Sequence, residues 1–540
     1  MDVFDELRRQ FHDRAAGETL VRVHRIWEGI EELGKTILNW TYHPLFDIND
    51  IVEEVDLNSM PYIGGAGLNT QKICLEGTRG EILDEITAWI NNTDDTTPRV
   101  FWLHGSAGTG KSSISHTIAD RFDKLGRLGS CFCFDRNKMA EQRHEKIFTT
   151  IARDLADRDD QIRRLLAGAI HGHTSLKNTT DILQQWKEMI LKPSQKLSDG
   201  MTGPIVIVID ALDESGEPVS RRNLLRILAG KVNDEKSRIA DLSPHFRILL
   251  TSRPLQDICK ALDGLGHVHQ KSMDDIRSEW TKRDILHSIL DELSGFEEMD
   301  NEEVSSALAS ASDGLFEWAR LACAYVIGDT YGGLSAQERF EAVIAPNKDI
   351  RVPLLDSMYK LTLETIFAHD MQMHPMSQTE TRLHSTDLNR FRSVMAQIIA
   401  TAEPLPLASL STLRGYFANE DLQKININLI LKRMGALLSG TTSSTDPTDP
   451  PATIRPLHAS FPDFLLDKSR SGEFFVDLSH IHNELAFASL GIMKDELRFN
   501  ICKLTSSYLS NSETPNCDRK VEANISKALS YACRFWTDHL

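Results

Sequence analysis

Three short stretches of this 540-residue chain place glycine, lysine, hydroxyl, carboxylate and guanidinium groups at spacings suited to phosphate chemistry. The first is Gly105-Ser106-Ala107-Gly108-Thr109-Gly110-Lys111-Ser112, followed by Ser113, and it fits G-x-x-x-x-G-K-[ST] at every fixed position. Glycines let the backbone bend until several N–H groups face one cluster of phosphate oxygens, and a helix start adds partial positive charge. Lys111 can then reach the β- and γ-phosphates, and Ser112 can offer its hydroxyl to Mg²⁺. The second stretch is Ile205-Val206-Ile207-Val208-Ile209-Asp210-Ala211-Leu212-Asp213-Glu214. Its five branched apolar residues read as a buried parallel strand, with Asp210 at the C-terminal end, where ligands of open α/β sheets sit. Asp210 is placed to hold Mg²⁺, directly or through water, opposite Ser112.

Asp213 and Glu214 follow within one turn. Three carboxylates so close repel one another unless a metal or bound cation compensates them. One of the pair can polarise an attacking water, or either can simply cap the next helix. The third stretch, Phe246-Arg247-Ile248-Leu249-Leu250-Thr251-Ser252-Arg253-Pro254, is an apolar strand ending in a polar cluster. Arg253 there can sense or neutralise a γ-phosphate, the alternative being a surface arginine after a strand. Together the three stretches predict binding of a nucleoside triphosphate or diphosphate.

These groups need a sheet edge to hold them. Strand patterns at 100–104, 130–134, 205–209, 246–251 and 266–270 alternate with helical ones, which predicts a parallel sheet covered on both faces: an α/β P-loop NTPase. Beyond about 275 the pattern is mostly helical, at 284–293, 302–327 and 354–367. A polar loop at 371–385 and a helical block at 388–402 follow, and 460–540 is again helical. Residues 1–40 carry apolar residues at helix-like spacings, and 81–91 reads as another helix. The low-complexity run Gly440-Thr441-Thr442-Ser443-Ser444-Thr445-Asp446-Pro447-Thr448-Asp449-Pro450-Pro451 cannot pack a core and reads as a hairpin tip, suited to the wing of a winged helix. The domain boundaries expected are 1–70 (helical), 71–272 (NTPase), 273–370 (helical), 371–475 (winged helix) and 476–540 (helical).

Composition narrows the partners. A formal net charge of −18 argues against direct nucleic-acid binding, which rests on positive charge. No segment approaches the roughly 18 uninterrupted apolar residues of a membrane span, and the acidic N-terminus lacks a secretion-signal layout. Eight scattered cysteines fit a reducing, cytoplasmic setting, with Cys131 and Cys133 read as buried thiols on one strand face. His171, His173, His267 and His269 show no carboxylate or thiol partner in sequence and read as ordinary loop and strand histidines.

The ordered set of phosphate loop, D-A-L-D-E strand end and T-S-R-P strand end resembles the NACHT NTPases, members of the STAND class of signalling P-loop ATPases. The acidic pair Asp213-Glu214, separated by two residues from the Mg²⁺ aspartate, is the distinctive element. The likeness runs over roughly residues 70–540 and is most specific to fungal NACHT proteins of the basidiomycete type. Cys74-Leu75-Glu76-Gly77-Thr78-Arg79, Leu457-His458-Ala459-Ser460-Phe461 and Tyr531-Ala532-Cys533-Arg534-Phe535-Trp536 carry that specificity.

The resemblance implies that Thr78 and Arg79 lie near adenine and ribose, and that His458 touches the β-phosphate of ADP. Without it, a histidine after an apolar strand reads as a satisfied core residue. The adenine-contacting proline of animal relatives is missing near Asp313-Gly314-Leu315-Phe316-Glu317-Trp318, so preference for ATP over GTP is not implied. The implied activity is a switch, closed with ADP and open or oligomeric with ATP, with slow hydrolysis and with itself or other NACHT proteins as partners. An AAA+-like remodelling ATPase and a non-hydrolysing nucleotide-bound scaffold are the alternatives.

Overall fold

Strands β1 (Val100–His104), β2 (Leu128–Cys133), β3 (Ile205–Asp210), β4 (Phe246–Ser252) and β5 (Val268–Ser272) pair in parallel in the order β2-β3-β4-β1-β5. The computed structural model describes residues 57 and 60–540, apart from 137–143, 173, 198–202, 232–237, 297–300, 329–333, 346–352, 369–377, 442–450, 507 and 509–513. Every residue of β3 and β4 is buried, and both carry the apolar runs of covered strands, at 205–209 and 248–250. β5 lies at the sheet edge and exposes His269 and Gln270. The register aligns His104 with Ser252 and Ile209 with Leu250. The phosphate loop, the carboxylates and Arg253 therefore leave the sheet along one edge, with the arginine's strand between the other two.

Alternation along the strands supplies two cores. Phe101, Leu103, Val206, Val208 and Leu249 point to the face covered by helices α1 (Gly80–Asn91) and α2 (Lys111–Lys124). Val100, Trp102, Ile207, Ile209 and Leu250 point to the other, against helices α3 (Ile147–Arg158), α4 (Asp160–Gly172), α5 (Pro218–Leu228) and α6 (Gln256–Leu262). Two strands are shifted by about two residues from their expected places, at 128–133 and 268–272.

After the sheet come α7 (Ser278–Glu292), α8 (Asn301–Ala311), α9 (Phe316–Ile327), α10 (Leu354–Ala368) and α11 (Gln378–Ala400). A small antiparallel sheet, β6-β8-β7, follows from β6 (Leu405–Pro406), β7 (Leu438–Ser439) and β8 (Thr453–Pro456). Helices α12 (Ser460–Leu465), α13 (Ile481–Glu496) and α14 (Lys527–Phe535) follow the small sheet. One continuous hydrophobic core runs from Ile285 to Phe535.

The single helix expected over 302–327 is two. Asp313 (φ 47°) and Gly314 (φ 81°) are left-handed and end α8, and Leu315 is extended before α9. The polar stretch 378–385, expected as loop, opens α11: it contains no proline or glycine to stop a helix. The hairpin around the low-complexity run is present. Leu438 pairs with Pro456, and Gly440 (φ 73°) lies so close to the returning strand that a Cβ would meet the Thr453 carbonyl oxygen at 2.4 Å. Residues 442–450 of its tip and the helix expected over 1–40 lie outside the described residues. No helix among the described residues is long and apolar enough to cross a membrane.

Candidate nucleotide-binding site

Gly108 (φ 80°) and Gly110 (φ 90°) take the left-handed backbone that an amide cradle requires, and Gly110 caps the start of α2. Thr109 Oγ1 donates to the Ser106 carbonyl at 2.9 Å, closing the loop on itself around Ala107. Lys111 Nζ donates to the carbonyls of Gly105 (2.9 Å) and Ser106 (2.7 Å). Burial pulls its ammonium down to about 8, against the attraction of Asp213 and Asp210. Ser112 and Ser113 open α2 beside it.

The loop is held from beneath by Arg79, which is buried and left-handed (φ 58°). Its guanidinium donates to the Thr109 carbonyl (2.7 Å) and Thr281 Oγ1 (3.2 Å) and lies 4.5 Å over the Phe316 ring. Its backbone N–H donates to Asp284 at 2.9 Å. The Glu317 N–H adds a bond to the Gly108 carbonyl at 3.2 Å. Thr78, also buried, donates to the Leu75 carbonyl at 2.7 Å and stabilises the turn before Arg79.

Each of the three carboxylates has its own compensation. Asp210, 2% exposed, accepts bonds from Ser115 Oγ (2.9 Å) and Thr251 Oγ1. Left-handed Ala211 (φ 55°) then turns the chain into the short 3₁₀ turn Leu212–Glu214. Asp213 accepts from the Arg253 backbone N–H (3.0 Å) and Nε (2.5 Å). Glu214 accepts from the Arg136 backbone N–H at 3.1 Å, and burial, reinforced by the charge of Asp213, pushes its carboxyl up to about 7. Neither acid caps α5, whose N-cap is Glu217. Ser112 and Asp210 offer hard oxygen atoms, a donor set that fits Mg²⁺.

A second wall comes from far along the chain. Arg253 Nη1 donates to Asp463 Oδ2 at 2.7 Å, and the Arg136 guanidinium donates to Asp463 Oδ1. Burial alone raises the Asp463 carboxyl, but Arg136 and Arg253 outweigh it and hold the group below the usual carboxylate range. His458 feels the charges of Glu317 and Arg320 and, beyond them, of Lys111 and Arg253. Its Nδ1 accepts the Ser460 backbone N–H at 3.2 Å and lies 2.6 Å from Ser460 Oγ, which is 2.7 Å from the Tyr359 hydroxyl. Burial lowers the imidazole's proton affinity, so the ring is neutral with its proton on Nε2. His458 is thus set up as an N–H donor.

Sequence reasoning missed Ser115, Thr251, Arg136 and Asp463. Ser115 and Thr251 had a usable signal, standing three residues after Ser112 and two before Arg253. Arg136 and Asp463 had none, because their neighbours in space are 78 to 327 residues away.

His116, Cys131 and Cys133 bring three ligand-type atoms within 4.8 Å of one another. The Asn69 N–H donates to His116 Nδ1 at 3.2 Å, so a neutral ring carries its proton on Nε2, facing Cys133 Sγ at 3.7 Å. That is a closed hydrogen-bond chain rather than a lone pair aimed at a metal. Elsewhere, His267 Nε2 is 3.0 Å from the Leu228 carbonyl oxygen and His269 lies 3.8 Å from Glu85.

Fold and edge together define an α/β P-loop NTPase. Residues 77–253, from the turn before Arg79 to Arg253 itself, match the family model described as nephrocystin 3, N-terminal. Comparison with curated proteins gives no significant match. Among solved structures, the chain is similar to a signal transduction ATPase with numerous domains and a tetratricopeptide repeat sensor from Pyrococcus horikoshii. That likeness has 12% identity and a TM-score of 0.37, over 89% of this chain and 59% of that one, so this chain spans less than two thirds of its length. A chain of Drosophila ORC bound to DNA is similar at 12% identity and TM-score 0.30, over 75% of this chain and 88% of that one. C. elegans PCH-2 is similar at 14% identity and TM-score 0.22, over 59% and 72%. These likenesses are loose, and the geometry of the site carries the functional reading.

Proposed function

We propose that this protein is a nucleotide-controlled signalling switch of the NACHT type, in the STAND class. ADP holds it closed, and ATP opens it for self-association or for pairing with other NACHT proteins. The observation that carries this reading is the second wall: Asp463 is bonded to Arg253, a group expected to read phosphate, and His458, five residues before it, feels the charges of Glu317, Arg320, Lys111 and Arg253.

In this reading the loop 105–112 and Ser113 cradle the phosphates while Thr78 and Arg79 support the base and ribose side. Ser112 and Asp210 hold Mg²⁺, which when bound neutralises phosphate charge. Glu214, with Asp213 beside it, orients and deprotonates water, and Arg253 senses the γ-phosphate. The Nε2–H of His458 donates to the β-phosphate. A near-complete flip between states needs about 5.5 kcal/mol of differential binding. A single histidine contact supplies about 1–3 kcal/mol, so a partner or trigger adds the rest. The resemblance to fungal NACHT proteins supports an output in innate-immunity-like or programmed-cell-death signalling in the cytoplasm.

The test is the mass of the full chain in solution with Mg²⁺–ADP and with Mg²⁺–ATP. A monomer with ADP and a larger assembly with ATP is the expected result. Protein that shows no affinity for either nucleotide sinks the proposal, and turnover near or above about one per second favours a remodelling ATPase instead.

A further inference from the structure

Asp463 is held by Arg253, the group expected to read a terminal phosphate, and Arg136 makes its position more than a lone ion pair. Arg253 follows β4, between the strands that carry the phosphate loop and Asp210, and its charge is felt by Lys111. Asp213 holds Arg253 Nε on the sheet edge, while Nη1 is turned to Asp463. Arg136 follows β2, its backbone tied to Glu214 and its guanidinium turned to the other oxygen of the same carboxylate. Two guanidiniums, that of Arg253 anchored to Asp213 and that of Arg136 carried on a backbone tied to Glu214, thus converge on one monoanion delivered by α12. The three side chains remain 21–34% exposed, so a competing anion can reach them.

Paired guanidiniums suit a phosphoryl group better than a single carboxylate. A terminal phosphate offers three acceptor oxygens and nearly two charges, against two oxygens and one charge. We infer that Arg136 and Arg253 together form the receptor for the terminal phosphate of a nucleoside triphosphate, and that Asp463 is its intramolecular placeholder. The inference rests on the nucleotide reading above and adds to it a second arginine and a displaced group. A triphosphate competes with Asp463 for both arginines, and a diphosphate lacks the competing group. Loading a triphosphate therefore releases α12 without moving a strand.

The experiment measures dissociation constants of the full chain for Mg²⁺–ADP and for a non-hydrolysable Mg²⁺–ATP analogue. Wild type is compared with Asp463→Asn and Arg136→Ala. Removing the placeholder's charge is expected to tighten the triphosphate analogue about tenfold, and removing Arg136 to weaken it about tenfold, the size of one charge-assisted hydrogen bond. ADP affinity shifts by less than about threefold in either variant. A ratio of the two constants that stays at the wild-type value in Asp463→Asn overturns the inference while leaving nucleotide binding intact. Asp463→Asn nearly preserves side-chain shape, so it decides the matter even where Arg136→Ala folds poorly. Wild type that binds neither nucleotide overturns the underlying reading as well.

Discussion

The two walls of the candidate site are built on opposite principles. Asp210 ends β3, Arg253 directly follows β4, and Lys111 opens α2 after the loop that leaves β1; all three strands are hydrogen-bonded to neighbours on both sides. His458 and Asp463 stand on a hairpin end and a six-residue helix, α12, joined to that edge through side-chain charges. The first wall resists displacement because moving it breaks strand ladders and core packing together. The second resists only to the extent that charge-assisted bonds at a partly exposed surface hold it. Under the proposed function the difference divides labour: chemistry on the fixed wall, reporting on the detachable one.

Four substitutions can break or sharpen this contrast. The largest effect is expected from Glu214→Gln on the fixed wall: hydrolysis falls about 100- to 10,000-fold with nucleotide affinity little changed. The wild-type single-turnover rate rises with pH through about 7 as the carboxyl loses its proton and becomes a base, and the variant's profile is flat over that range. A variant that keeps the wild-type profile removes Glu214 from the chemistry. Next is Asp213→Ala, which strips Arg253 of its buried partner and is expected to cost about 3 kcal/mol in denaturant unfolding. An unchanged midpoint contradicts a rigid first wall.

Lys111→Ala is expected to weaken both nucleotides about a hundredfold by calorimetry without lowering the melting temperature. The smallest effect is Tyr359→Phe. It removes the hydroxyl beside Ser460, in the middle of the second wall's support, at about 1 kcal/mol. The ATP-to-ADP affinity ratio then shifts by severalfold, whereas a change in both affinities alike makes Tyr359 a packing residue only.

The contrast also decides what was legible from sequence. The fixed wall was readable because its chemistry is local. A loop, a strand ending in Asp210 and a strand ending in Arg253 each fit within about ten residues, and apolar runs announce the strands that align them. Even the left-handed glycines of the loop are implied by its pattern. The detachable wall was not readable from spacing. Asp463 is one acid in an unremarkable helix, and Arg136 one base after a strand, until the fold brings them together. His458 came only through family resemblance, and its hydrogen-bonding state only through the Ser460 N–H. Arg79 shows the intermediate case: its motif was noticed, but its place beneath the loop depends on Thr281, Asp284 and Phe316. The break at Asp313-Gly314 is hidden in the sequence because the helical periodicity resumes on its far side.

The continuous core from Ile285 to Phe535 gives the detachable wall an unusual mechanical character. Helix α12 is no loose flap; Phe461, Phe464 and Leu465 are embedded in the same packed mass as α7 to α14. That mass also grips the sheet domain on another side, where Arg79 meets Asp284 and Thr281 and Glu317 meets the loop at Gly108. One attachment can serve as a fulcrum and the other as a catch. Freeing the catch at Asp463 would turn an exchange of anions only a few ångströms wide into torque on a body of some 250 residues. The farthest surfaces of that body would then swing through the longest arcs.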